Sequence, residues 1–134
     1  MTSVYIDTSA FIAVLDADDR NHQKARKIWE DLIDHQDILI SSNYILIETI
    51  ALIQNRLGIQ AVRDFQNTVI PLLTIDWVNE TIHNEAIMGV LTAGQKSLSF
   101  VDCISFQTIR RLGIQKVFTF DKHFKAQGLA CLGF

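Results

Sequence analysis

The chain has 134 residues, 49% hydrophobic and 20% charged, with a formal net charge of -3. That length fits one domain, and that apolar share is enough to bury a sizeable core, which excludes a disordered or linker protein. The acidic balance argues against strong nonspecific nucleic-acid binding, although overall charge hides clustering.

The longest apolar stretches, such as "YILIETIALI" at 44–53, are too short and too interrupted for a membrane helix, and no basic leader with a cleavage site opens the chain. Cys103 and Cys131 lie far apart, with no CxxC spacing and no histidine pair near them. They suit a reduced cytosol rather than a disulfide frame or a zinc site. A soluble, cytoplasmic protein is expected. No internal repeat, low-complexity tract or Pro/Gly-rich linker divides the chain, so a single domain over 1–134 is expected.

In chain order, "SVYI" (3–6) reads as a short buried strand that ends at Asp7, where a helix begins. Over 19–35, Ala25, Ile28, Trp29, Leu32 and Ile33 recur at helical spacing, with Asp18 or Asp19 as the cap. "DILIS" (37–41) reads as a second strand. "SSN" then precedes a helix over 43–57 that stops at Gly58, and a further helix over 59–70 carries Ile59, Val62, Phe65 and Val69 on one face. A helix over 77–93 ends at Gly94, and one over 99–112 starts after Ser97 or Ser99 and ends at Gly113. "KVFTF" (116–120) is another strand, and "LACLGF" supplies either a last strand or a packed tail. Strands alternating with helices imply an α/β sandwich on a parallel sheet.

Four acids interrupt apolar surroundings: Asp7, Glu48, Asp102 and Asp121. Asp7 and Asp121 each follow a strand, where an aspartate commonly caps a helix. Asp102 lies three residues after Ser99, as in a capping box. Glu48 has no such role, because its helical neighbours are Tyr44, Ile45, Ala51 and Leu52. A carboxylate among such groups is costly unless it is paired or meets a cation, and a buried salt bridge is the alternative to a metal.

Topology joins the four. In a parallel sheet the strand C-termini share one edge, and the following helices begin there. Four carboxylates converging on that edge repel unless a cation neutralises them or some stay protonated; a metal site is the economical reading, and an all-carboxylate set selects Mg²⁺ or Mn²⁺ over zinc. Such sites usually act on phosphates. Thr8, Ser9, Ser99 and Thr119 are hydroxyls next to the acids, suited to positioning waters or to capping.

"YIDTSAFIA", the lone Glu in "NYILIETIALI", "SLSFVDCISF" and "VFTFDKHF", with "DDRNHQKARKIW" as second helix, together resemble the PIN-domain ribonucleases, especially the VapC-type toxins of toxin–antitoxin pairs. The resemblance runs over nearly the whole chain. It implies a PIN-like three-layer α/β/α sandwich with a central, mainly parallel sheet, and a Mg²⁺- or Mn²⁺-dependent endoribonuclease. It also implies a homodimer, an RNA substrate, and a cognate antitoxin protein that occludes the site. Carried over residue by residue, the metal-binding, catalytic acids would be Asp7, Glu48, Asp102 and Asp121.

Lys122, His123 and Lys125 are candidate RNA contacts, as are Arg20, His22 and Lys24, each weighed against a solvated helix face. Trp29 and Trp77 lie on apolar patterns and are expected in the core, as is Cys103. The four histidines never pair at ligand spacing, which disfavours a histidine-based site. A haloacid-dehalogenase-type phosphatase would need a second aspartate where Ser9 stands, and a receiver domain would need an acidic pair after the first strand. A non-toxin PIN nuclease in RNA processing and a non-catalytic metal-binding interaction module are also compatible with the four acids.

Overall fold

The computed structural model describes residues 2–96 and 98–134. Five short strands form one sheet: β1 (Ser3–Ile6), β2 (Ile38–Ser42), β3 (Leu73–Asp76), β4 (Lys116–Phe118) and β5 (Ala130–Leu132). Their order is β3-β2-β1-β4-β5, and every pairing is parallel. A parallel sheet must be covered on both faces, which is why Val4, Tyr5 and Ile6 in the central strand are all fully buried.

The crossovers are α1 (Thr8–Leu15) with α2 (His22–Asp34), then α3 (Asn43–Leu57) with α4 (Ile59–Asp64), then α5 (Glu80–Ala93) with α6 (Phe100–Leu112), and last α7 (Lys122–Lys125). The chain steps from β1 to β2 to β3 in one direction, then returns past β1 to β4 and β5. Right-handed crossovers therefore place α1 to α4 on one face and α5 to α7 on the other, giving three layers. The reversal occurs beside β1, so a crevice opens at the C-terminal edge between β1 and β4. Among the described residues no helix is long and apolar enough to cross a membrane.

Several elements differ from expectation. The helix predicted from residue 19 begins at His22, with Asn21 rather than Asp18 or Asp19 at the N-cap position. The predicted 59–70 helix is regular only to Asp64, widens to a π turn over Phe65–Val69, and tightens to a 3-10 turn at Ile70–Leu72. Pro71, lacking an N–H, stands in that last turn. β3 has no counterpart among the predicted strands; it is a four-residue edge strand with no fully buried residue.

The helix predicted from 77 starts at Glu80, capped by the Asn79 side chain on Ile82 N at 2.9 Å. Trp77 thus sits in the turn after β3, not on a helix face, and is 68% exposed instead of being in the core. Trp29 packs against the core as expected, and Cys103 is buried. Gly94 and Gly113 end α5 and α6 in the left-handed conformation, with φ of 61° and 67°. Ser99 caps α6, its hydroxyl accepting from Asp102 N at 3.0 Å; the other predicted start, Ser97, lies outside the described residues.

Candidate active site

The crevice beside β1 is a cavity of about 320 Å³ lined by Asp7, Glu48, Asp102 and Asp121 together, along with Thr8, Ser9, Asp19, Asn21 and Arg56. Each acid arrives from a different element. Asp7 directly follows β1, Glu48 stands in the second turn of α3, Asp102 in the first turn of α6, and Asp121 precedes α7.

Asp7 is 5% exposed. It occupies the N-cap position of α1, yet its side chain caps nothing. Instead its Oδ2 accepts the Ser9 hydroxyl at 2.8 Å and the Thr119 hydroxyl at 3.0 Å. Those hydroxyls in turn accept Phe120 N and Asp121 N, each at 3.0 Å, so one web ties the end of β1 to the chain leaving β4. Oδ1 takes no hydrogen bond, and no buried side-chain N or O among the described residues lacks a partner; Oδ1 therefore reaches the cleft. Burial pushes the Asp7 carboxyl up to about 6, against the pull of the two hydroxyls and helped by the charges of Asp102 and Asp121.

Asp121 differs. Its Oδ1 accepts the backbone N–H of His123 at 2.9 Å and lies 2.8 Å from the His123 Nδ1. Asp102, Asp121 and His123 bring donor atoms within 4.8 Å of one another. Asp102 is raised by desolvation and by the neighbouring Asp121 charge.

Glu48 is half-buried on the cleft wall rather than enclosed by its apolar neighbours, since Ala51 on the following turn is exposed. Desolvation and the charge of Asp7 raise its carboxyl, and the Thr8 hydroxyl opposes the shift. Among the described residues it forms no ion pair, so the salt-bridge alternative has no counterpart here.

The cations proposed as RNA contacts divide. His123 joins the acidic group, whereas Lys122 is exposed and does not line the cavity. Lys125 lies over the Phe134 ring, Lys24 donates to Gly133 O at 2.9 Å, and the His22 ring bonds Ala13 O at 2.8 Å. Arg20 is exposed. Sequence reasoning missed Arg56, although Glu48, Leu52 and Arg56 recur every four residues and therefore share one face of α3. It also missed Asn21, at the turn where Asp19 Oδ1 accepts Asn21 N at 2.8 Å.

The family model described as PIN domain matches residues 4–128. The chain belongs to the PIN-domain family. As a PIN domain it is 29% identical over 126 residues, 93% of this chain and 94% of the relative, to a protein of Mycobacterium tuberculosis named 23S rRNA-specific endonuclease VapC20. The crystal structure of that VapC20, titled a sarcin-ricin loop cleaving toxin, superposes with a TM-score of 0.82 at 26% identity, covering 95% of this chain and 96% of the other. A second PIN-like likeness, to FitAcB from Neisseria gonorrhoeae, has a TM-score of 0.69 at 16% identity over 96% of both chains and speaks for the fold alone.

Proposed function

We propose that this PIN domain is a Mg²⁺- or Mn²⁺-dependent endoribonuclease and the toxin of a toxin–antitoxin pair. The observation that carries the reading is the convergence of Asp7, Glu48, Asp102 and Asp121 on one cleft at the switch point of the sheet. The likeness to VapC20 supports it and makes the sarcin-ricin loop of 23S rRNA the first substrate to test.

The donor chemistry fits a hard divalent cation. Carboxylate oxygens dominate the set, with His123 as the one imidazole beside them, its Nδ1 bonded to Asp121. Asp102 and Asp121 would hold the ion with Asp7, and Glu48 would orient a water on the facing wall. When bound, such an ion supplies charge neutralisation at the phosphoryl oxygens and a more acidic water. The chain's own part is positional. Ser9 and Thr119 hold one Asp7 oxygen still and leave the other directed at the site, and His123 holds Asp121 Oδ1 through both its backbone N–H and its ring.

A homodimer and a protein antitoxin belong to the same reading. An exposed apolar face around Ile47 and Trp77, 65% and 68% exposed, supports a protein partner. The test is cleavage of an RNA panel that includes the sarcin-ricin loop. Cutting with Mg²⁺ or Mn²⁺ that stops with EDTA and with Asp7→Asn is expected; a panel left intact in both metals, with no antitoxin present, overturns the nuclease reading.

A further inference from the structure

Among the described residues Arg56 is the only Lys or Arg that lines the cleft, where five carboxylates also stand: Asp7, Asp19, Glu48, Asp102 and Asp121. It nevertheless forms no ion pair with any of them. A guanidinium that shares a cavity with carboxylates and pairs with none of them keeps its donor fork available to another anion. Local helix stability does not require it at this spot, since any cation in the last turn of α3 meets the helix dipole equally well wherever it points.

We propose that Arg56 is a phosphate-binding residue for the RNA strand, contacting a phosphate other than the scissile one; this rests on the nuclease reading of the same cleft. The spacing keeps it off the scissile phosphate. Arg56 is eight residues beyond Glu48 on α3, about 12 Å along the axis at the helical rise, so it stands away from the acids that hold the reacting group. The planar fork matches a phosphate with two parallel hydrogen bonds, which a lysine does not reproduce. In a cleft that otherwise repels a polyanion, one cation decides where the strand lies. Leu52, one turn earlier on the same face, and Phe120 across the cleft add apolar surface against which a ribose or base can rest.

A contact made equally in ground and transition states changes KM and leaves kcat. The experiment measures affinity for a short single-stranded oligoribonucleotide in the Asp7→Asn background, so that no cleavage intervenes, across a salt series. Arg56→Ala is expected to weaken binding about tenfold and to reduce the slope of log K against log salt by about 0.7, the value for one phosphate contact on a single strand. Arg56→Lys should keep the slope and lose only part of the affinity. In otherwise unaltered protein, Arg56→Ala should raise KM with kcat nearly unchanged, and the rise in Tm on adding Mn²⁺ should stay the same. An unchanged salt slope, or loss of the Mn²⁺ shift, overturns the assignment. RNA that binds with the expected slope but is never cut in Mg²⁺ or Mn²⁺ defeats the nuclease reading and leaves Arg56 as a phosphate contact.

Discussion

The β1–α1 and β4–α7 junctions have the same local plan, a short buried strand, an aspartate at the N-cap position and a helix, yet their carboxylates are used in opposite ways. At β4–α7 the Asp121 side chain caps its helix through His123 N. At β1–α1 the Asp7 side chain turns from its helix to two hydroxyls, one of them 112 residues away on Thr119. Two backbone N–H groups of α1, those of Ala10 and Phe11, are met by the Asp7 carbonyl instead. Neighbours decide the outcome: Ser9 and Thr119 offer Asp7 two donors in a buried place, whereas Asp121 lies at the partly exposed mouth. One carboxylate therefore has a helix-stabilising role in addition to its place in the cleft, and the other does not.

The largest test of that contrast is catalytic. Asp7→Asn and Asp121→Asn are each expected to lower the cleavage rate at least about 100-fold, because both carboxylates line the cleft proposed to hold the reacting group, whatever their local bonding. Retained cleavage in Asp121→Asn would make that residue a cap and nothing more.

Next in size is the pH dependence of stability without metal. The Asp7 carboxyl goes from an ordinary 3.8 to about 6 on folding, so the folded state holds the proton more tightly. Stability from this group is full below about pH 4 and is lost as pH rises through 6, a decline on the order of 3 kcal/mol. Urea unfolding in EDTA should show the decline in the parent protein and not in Asp7→Asn, which should be the more stable of the two at pH 7.

Thr119→Val separates the two junctions further. It removes a hydroxyl that donates to Asp7 and should cost about 2 kcal/mol above pH 6, where the acceptor is ionised, and less below. The smallest effect is the cap. Asp121→Ala should lose about 1 kcal/mol in urea unfolding, and Asp121→Asn should restore it because asparagine caps equally well. The same pair of substitutions at Asp7 should show no such rescue by capping.

Local pattern already carried much of this fold. The strand at 3–6, the helix stops at Gly94 and Gly113, and the four acids breaking apolar runs could all be read from residues close in sequence. Alternation of strands and helices then dictated a parallel sheet, and a parallel sheet brings its strand ends to one edge. Properties set by distant neighbours could not be read. β3 is a half-buried edge strand whose partner lies some thirty residues earlier, and its short "LTID" has no period of its own. Trp77 follows an apolar rhythm but falls in the turn ahead of Asn79, so the rhythm does not bury it.

The sequence by itself determined which residues are available to the cleft, because helix and strand periods assign each side chain to a face. Only the tertiary structure decided what each does there. Hydrogen bonds and burial depend on groups a hundred residues away, and so the same strand–aspartate–helix pattern yields a cap at Asp121 and a pinned, desolvated carboxylate at Asp7, while the α3 face they meet leaves an unpaired guanidinium at Arg56.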